Sequence, residues 1–331
     1  MPVSAGQHPP TVAVLDGGEH PPGLDDLVGD ACLRFAAGPA ELADALPGSD
    51  VLLTWDFTSD AVREVWSDAI AGTGPGTLRW VHTASAGVDR VAFPALLASP
   101  VTLTNSRGVF DEPMAEFVLG AVLAFAKDTP RSLALQRDRT WRHRETETVA
   151  GKVATVVGSG PIGHAIARLL GAVGMRVRLV GRRAAEGVHA FDELPGLLPD
   201  TDVLVLAAPL TEATRGMLHS GTIGLLPRRA RVVNVGRGPL VVQDELADAL
   251  ASGRLAGAAL DVFEVEPLPA DSPLWAMENV LISPHMSGDV VGWKDMLVEL
   301  FVDNLARFTG GRELRNVVDK ERGYVSAGAN S

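Results

Sequence analysis

Cysteine is nearly absent from this sequence, since Cys32 is the only one among 331 residues. A single cysteine allows neither a disulfide within the chain nor a thiolate zinc cluster. Disulfides are typical of oxidising compartments, so this composition indicates a reducing one. We therefore expect a cytoplasmic protein without a bound metal.

Basic residues are scarce relative to acidic ones. The chain has 29 Lys and Arg against 41 Asp and Glu, which gives a formal net charge of −12 at pH 7. Duplex recognition is driven by clustered Lys and Arg, so no nucleic-acid partner is expected. An anionic substrate remains open, because a few local arginines can dominate a buried pocket.

Long apolar runs are also missing. The longest strongly apolar helical stretch, residues 117–126, is too short to span a bilayer. Residues 1–10 are polar and proline-rich, without the basic start and apolar core of a signal peptide. We expect no membrane partner. The 46% of hydrophobic residues is typical of a globular protein, and the length suits two domains.

Strand and helix patterns alternate along the chain, which predicts an α/β fold with parallel sheets. A helix is expected to begin at Asp111-Glu112-Pro113, because acidic residues and proline suit a helix start. The charged segment 131–147, with Trp141 in its middle, predicts either a surface helix and loop or an arm that packs on a second subunit. Strands are predicted at 11–15, 51–55, 78–82, 101–105, 152–157, 177–180, 202–207, 231–235, 257–261 and 280–282, with further helices at 40–46 and 296–308.

A glycine-rich motif follows the predicted strand at 152–157. It reads Gly158-Ser159-Gly160-Pro161-Ile162-Gly163 and continues into a helix. In such a motif Gly158 permits the tight turn, Gly160 lets a pyrophosphate approach, and Gly163 lets the helix pack closely. The phosphates would lie at the helix N-terminus, which favours anions. A purely structural turn is the alternative, but the flanking strand and helix are those of a dinucleotide-binding βαβ unit.

The end of the next predicted strand indicates which dinucleotide is bound. An NAD site usually has Asp or Glu there, hydrogen-bonded to the ribose 2′-OH. This chain has Gly181-Arg182-Arg183 instead. Two guanidiniums can bind a 2′-phosphate that no carboxylate repels, so we predict a preference for NADP(H), with NAD(H) as a second option. The alternative is a pair of solvated arginines and dual or NAD use.

Three polar side chains follow later predicted strands. They are Arg237, Glu266 and His285. Ligands of open α/β sheets bind beyond the carboxyl ends of the strands, so these side chains can converge. Arg237 can bind the carboxylate of a 2-oxo acid, and His285 can donate a proton to its keto oxygen. Glu266 would orient the imidazole and favour its protonated form. The seven other histidines are predicted to be surface or core residues.

These motifs resemble those of the D-isomer-specific 2-hydroxyacid dehydrogenase family, over nearly the whole chain. The resemblance includes the Ala84–Asp89 loop, Asn105–Gly108, Ala115-Glu116, the glycine motif and the segments around Arg237, Glu266 and His285. It implies Arg237 as the substrate binder, His285 as the acid and base, and Glu266 as its partner. It also implies that Asp261 contacts the nicotinamide carboxamide, and that the backbone around Ala86 and Gly87 holds the substrate carboxylate.

The family fold implies two Rossmann-like domains with parallel sheets and the active site in the cleft between them. The substrate domain would comprise residues 1–104 and 289–331, and the dinucleotide-binding domain residues 105–288. The resemblance also implies a homodimer built on the latter domain. The predicted cofactor contacts are Gly158, Ser159, Gly160, Pro161, Ile162, Gly163, Arg182, Arg183, Ala208, Pro209, Val235, Gly236, Asp261 and Gly288.

The predicted activity is reduction of a small 2-oxo acid to its D-2-hydroxy acid by NAD(P)H. Ser159 departs from the apolar residue common inside the glycine motif. The missing acid at 181–183 resembles the NADPH-using glyoxylate/hydroxypyruvate reductase branch, so we expect glyoxylate or hydroxypyruvate as the substrate. A bulkier 2-oxo acid, or one with a second anionic group, is the alternative. A non-catalytic, corepressor-like scaffold is the alternative, but the intact set of Arg237, Glu266 and His285 favours an enzyme.

Overall fold

The computed structural model describes residues 9–29, 31–67, 70–71, 77–322 and 325. The predictions for residues 1–8, including His8, lie outside these residues. The chain divides into two compact units, one of Met1–Val109 with Val291–Ser331 and one of Phe110–Val290. Each contains a parallel sheet, one of five strands and one of seven. The predicted α/β class with two parallel sheets is confirmed.

The first unit begins with alternating strands and short helices. In chain order these are β1 (Thr11–Leu15), α1 (Leu24–Leu27), β2 (Cys32–Ala36), α2 (Pro39–Ala45), β3 (Val51–Thr54), α3 (Ala61–Val65), β4 (Trp80–Thr83), α4 (Pro94–Ala98) and β5 (Thr102–Thr104). The sheet order is β2-β1-β3-β4-β5. Strands β3 and β4 are buried along their whole length, as expected for a parallel sheet covered on both faces.

The second unit is built on the seven-stranded sheet. Its elements are α5 (Asp111–Ala126), α6 (Thr129–Arg137), β6 (Val153–Val157), α7 (Pro161–Ala172), β7 (Arg176–Gly181), β8 (Val188–Ala190), α8 (Leu194–Leu197), β9 (Val203–Leu206), α9 (Ser220–Leu225), β10 (Arg231–Asn234), α10 (Gln243–Ala251), β11 (Gly257–Leu260) and β12 (Val280–Ile282). The sheet order is β12-β11-β10-β9-β6-β7-β8, so β7 and β8 follow on one side of β6 and β9 to β12 follow on the other side. Such a reversal creates a ligand crevice beyond the carboxyl ends of the strands.

The last helix, α11 (Trp293–Thr309), belongs to the first unit. It is anchored by aromatic packing, since Trp80 of β4 stacks on Phe301 with 5.3 Å between ring centroids. Phe308 of the same helix lies 5.5 Å from Trp80. The chain therefore returns to its first sheet after it has built the second.

Two edge strands, β2 and β8, have no counterpart among the predicted strands. In β2 the exposed Cys32 and Arg34 interrupt the apolar pattern, and β8 is a half-buried strand of three residues. The charged segment forms helix α6 and then irregular backbone over 138–148, with Trp141 fully exposed. No described helix is both long enough and apolar enough to cross a bilayer.

A buried histidine links β4 to β5 in the first unit. His82 is fully buried, and its Nδ1 lies 2.7 Å from the Thr104 hydroxyl. Its Nε2 lies 3.3 Å from the Ser106 hydroxyl, which donates to the Thr83 carbonyl at 3.0 Å. Burial lowers the pKa of His82 to about 3, so the ring is neutral in the folded protein at neutral pH.

His82 should make the stability of the protein depend on pH. Its pKa is lower when folded than when unfolded, so the unfolded chain binds the proton first and stability falls as the pH drops below 6.5. Between pH 7.5 and 5.5 this group should remove about 1 to 2 kcal/mol from the free energy of unfolding. Urea unfolding should show that loss in the native protein and a smaller loss in His82→Gln, which keeps polar atoms but does not titrate. Equal losses in both proteins would contradict this account.

Candidate active site

The glycine motif forms a tight turn between β6 and α7. Gly158 has a φ of 125°, and a Cβ on it would lie 2.5 Å from the Ala207 carbonyl oxygen. A Cβ on Gly163 would collide with the Gly158 carbonyl, so α7 packs directly against the turn. A Cβ on Gly160 would meet none of the described atoms within 4 Å. The turn is therefore closed on its inner side and open at Gly160.

The open side of the turn fits a pyrophosphate. Helix α7 begins at Pro161. Its N-cap residue is Gly160, which has no side chain to accept a hydrogen bond from the N–H groups of the first turn. The backbone N–H groups at Ile162 and Gly163 belong to that first turn, where helices leave donors without helical partners. Unused donors and the helix dipole favour an anion. These residues can thus hold the phosphates of a dinucleotide.

The loop after β9 packs against the same turn, and the loop after β10 packs against the loop after β9. Ala208 is buried and Pro209 is exposed just beyond β9, while Val235 and Gly236 are buried beyond β10. A Cβ on Gly236 would lie 2.9 Å from the Ala208 carbonyl oxygen. The structure therefore brings these predicted cofactor residues together at one edge of the sheet.

The end of β7 carries the two predicted arginines. Strand β7 ends at the buried Gly181, and Arg182 and Arg183 follow with exposed side chains. Strands β6 and β7 are neighbours, with Val157 opposite Val180. Arg182 and Arg183 therefore lie at the same edge of the sheet as the glycine turn. Position 181 is glycine, so it places no carboxylate beside these two guanidinium groups.

Asp261, directly after β11, anchors the loop that carries His285. Its carboxylate is only 1% exposed and accepts hydrogen bonds from the Ser283 hydroxyl at 2.6 Å, the Met286 N–H at 2.9 Å and the Ser287 N–H at 3.1 Å. The His285 N–H donates to the Asp261 carbonyl at 2.8 Å. Asp261 thus positions the loop, and its contact with a nicotinamide stays a prediction.

Glu266 and His285 form a hydrogen-bonded pair. Glu266 Oε2 lies 2.8 Å from His285 Nδ1, and Glu266 Oε1 accepts from the Phe263 N–H at 2.9 Å. Both side chains are partly exposed. With Nδ1 bonded to Glu266, Nε2 is the ring nitrogen left for proton exchange with a ligand.

The charge state of Glu266 follows from its surroundings. Partial burial alone would raise its pKa, but hydrogen bonds from His285 and the Phe263 N–H and the charges of His285 and Arg237 outweigh that effect. The net pKa of Glu266 lies below its ordinary value. Glu266 is therefore ionised at neutral pH.

Arg237 lies within electrostatic range of this pair. Its Nη1 donates to the Gly236 carbonyl at 2.8 Å, and the side chain is half-buried. Asn234, which is 1% exposed at the end of β10, donates to the Arg237 carbonyl and accepts from the Gly236 N–H, both at 3.1 Å. Asn234 has no predicted role, although a polar residue at the end of a buried strand is a signal that sequence alone offers.

Gly288 and the backbone of Ala86 and Gly87 are the remaining predicted site residues. Gly288 is buried, and a Cβ on it would lie 2.7 Å from Phe110 Cδ1. In the first unit, the Ala86 carbonyl accepts from Asn105 Nδ2 and the Gly87 carbonyl from the Ser85 hydroxyl, both at 2.6 Å. No group of three or more His, Cys, Asp or Glu able to bind a metal ion occurs among the described residues.

Comparison with known proteins identifies the family. The model of the D-isomer specific 2-hydroxyacid dehydrogenase NAD-binding domain matches residues 119–287. A glyoxylate/hydroxypyruvate reductase A of Arabidopsis thaliana is 32% identical over 284 residues, which are 82% of this chain and 90% of that protein.

Solved structures agree. A D-isomer specific 2-hydroxyacid dehydrogenase of Xanthobacter autotrophicus, in complex with NADPH and MES, is 31% identical with a TM-score of 0.77, and the match covers 96% of this chain and 100% of that one. An NADPH-dependent glyoxylate/hydroxypyruvate reductase of Sinorhizobium meliloti, in complex with NADP and sulfate, is 29% identical with a TM-score of 0.79 over 95% and 100% of the two chains. This chain therefore belongs to the D-isomer specific 2-hydroxyacid dehydrogenase family.

Proposed function

We propose that this protein reduces glyoxylate, hydroxypyruvate or a closely related 2-oxo acid to the D-2-hydroxy acid, with NADPH preferred over NADH. The observation that carries the proposal is the Glu266–His285 pair within electrostatic range of Arg237, in the unit that holds the glycine turn. The reductases among its relatives support the same substrates and cofactor. They do not favour the non-catalytic scaffold.

Each catalytic side chain has a separate task in this reaction. A dinucleotide held at the glycine turn would supply the hydride that the keto carbon accepts. Arg237 binds the substrate carboxylate through its guanidinium. His285 donates the proton from Nε2 to the keto oxygen, and in the reverse direction the neutral ring accepts it. Glu266 holds the ring through Nδ1 and balances the charge of the protonated imidazole.

The two units would divide the work of recognition. We assign dinucleotide binding to the second unit, because its glycine turn and helix α7 fit a pyrophosphate. We assign part of substrate binding to the first unit, where the backbone of Ala86 and Gly87 would contact the substrate carboxylate. The hydrogen bonds from Asn105 and Ser85 hold that backbone in one conformation.

A turnover assay tests the proposed reaction. Purified protein should oxidise NADPH faster than NADH in the presence of glyoxylate or hydroxypyruvate. The best substrate of a panel of 2-oxo acids defines the side chain that the pocket accepts. Tight dinucleotide binding without turnover on the panel would contradict the proposal and support the scaffold.

Removal of His285 should abolish most of the activity. A general acid contributes about 100-fold to 10,000-fold in rate, so His285→Ala should lower kcat by that range. Dinucleotide affinity should stay close to native. The matched control is His189→Ala, because His189 pairs with Glu193 at 3.0 Å in the same unit and lies in β8, at the opposite edge of the sheet from β12, which precedes His285. A kcat for His285→Ala within a few-fold of the control would contradict the assignment.

Removal of both arginines after β7 should reduce the preference for NADPH. Charge-assisted contacts to the 2′-phosphate would be lost, so Arg182→Ala/Arg183→Ala should weaken NADPH binding roughly tenfold to a hundredfold and leave NADH binding nearly unchanged. Arg176→Ala is the control, since Arg176 lies at the opposite end of β7. Equal losses for both dinucleotides, measured by titration calorimetry, would contradict this prediction.

We also propose a cytoplasmic homodimer. The single cysteine supports the location, and the irregular segment 138–148 with its fully exposed Trp141 supports contact with a second copy. Sedimentation equilibrium should give twice the chain mass of 34.8 kDa. Trp141→Glu should shift the protein toward the monomer, whereas the control Trp275→Glu, at another exposed tryptophan of the same unit, should not. A native monomer would contradict the proposal.

A further inference from the structure

Ser159 lies beside the end of strand β7. The Gly158 N–H donates to the Val180 carbonyl at 2.8 Å, so the glycine turn crosses from β6 toward β7. The next residues on the two segments are Ser159 and Gly181. Position 181 ends the second strand of the βαβ unit, 18 residues after Gly163, which is where an NAD site usually carries its ribose-binding acid.

A side chain at position 181 would displace two neighbouring side chains. A Cβ on Gly181 would collide with Ser159 Oγ, and it would lie 3.2 Å from Ser159 Cβ and 2.9 Å from Val188 Cγ1. Gly181 is buried in a strand with ordinary extended geometry, so its backbone conformation does not require glycine. The constraint is one of space, because the Ser159 hydroxyl would have to change rotamer and Val188 Cγ1 would have to move before a side chain could fit.

The Ser159 hydroxyl that fills this space is available to a ligand. It makes no hydrogen bond to any part of the chain that the structure describes, and the residue is only half-buried. A hydroxyl can donate to a phosphate oxygen, whereas a carboxylate in the same place would repel it.

We propose that Ser159 is a cofactor-specificity residue that acts together with Gly181 and Val188. It occupies the space in which the acid of an NAD site would begin, and it donates its hydroxyl to the 2′-phosphate of NADP(H). The preference for NADP(H) is then set by shape as well as by the charges of Arg182 and Arg183. This inference rests on the proposed cofactor, and it means that an acid at position 181 cannot by itself produce an NAD enzyme.

The test is a comparison of Gly181→Asp in two backgrounds. The first is the native chain, and the second is the chain with Ser159→Gly/Val188→Ala, which removes all three colliding atoms. Binding of NADH and NADPH is titrated directly without any 2-oxo acid, and melting temperatures are recorded. In the native background the substitution should lower the melting temperature and weaken the binding of both dinucleotides by at least tenfold. In the opened background it should fold normally and bind NADH at least tenfold tighter than that background alone.

Two outcomes would overturn the proposal. It fails if Gly181→Asp binds NADH more tightly in the native background, with an unchanged melting temperature. It also fails if the substitution prevents folding or NADH binding equally in both backgrounds. Rescue of folding only in the opened background supports it.

The hydroxyl contact has its own test. Ser159→Ala keeps the Cβ and removes only Oγ, so NADPH binding should weaken several-fold while NADH binding stays close to native. Equal effects on both dinucleotides would overturn this contact. Because these titrations contain no substrate, a native protein that binds NADPH but reduces no 2-oxo acid contradicts the proposed reaction without affecting the specificity result.

Discussion

The buried carboxylate of Asp261 is the constraint on which the candidate site depends. A carboxylate that is 1% exposed must be compensated by donors, and three of them come from the loop 283–287. To supply these hydrogen bonds, the loop folds back onto the end of β11. It also holds His285 at a φ of 53°, a backbone conformation that a residue other than glycine rarely adopts without such support. The ring thereby reaches Glu266.

The same sheet edge gathers the other groups because all its strands are parallel. The proposed cofactor side is made of backbone, where close packing at Gly158 and Gly236 leaves no room for side chains. The proposed substrate side is made of polar side chains, Arg237, Glu266 and His285, carried on separate loops. A glycine turn that fits a pyrophosphate and an acid–base pair that fits a keto acid therefore arise from one topology.

The predictable and unpredictable parts of this protein differ in physical character. Strands β1 and β12 have the predicted bounds, because short apolar runs rich in β-branched residues indicate buried strands directly. Helix α11 starts three residues before the predicted helix, since its first turn is less apolar than the rest. The half-buried edge strands β2 and β8 lack that signal. The glycine motif is recognisable from its spacing together with its flanking strand and helix, and the three polar residues from their positions after predicted strands and their chemistry. The hydrogen bonds of Asp261, in contrast, join residues 22 to 26 positions apart and need the folded chain.

We propose that one sheet edge binds the dinucleotide and presents His285 to a 2-oxo acid. The most direct measurement is a crystal structure with NADP⁺ and oxalate, an unreactive mimic of such an acid. The account predicts the pyrophosphate at the Gly158–Gly163 turn and an oxalate oxygen within hydrogen-bond distance of both Arg237 and His285 Nε2. A dinucleotide bound elsewhere, or oxalate away from both side chains, would contradict it.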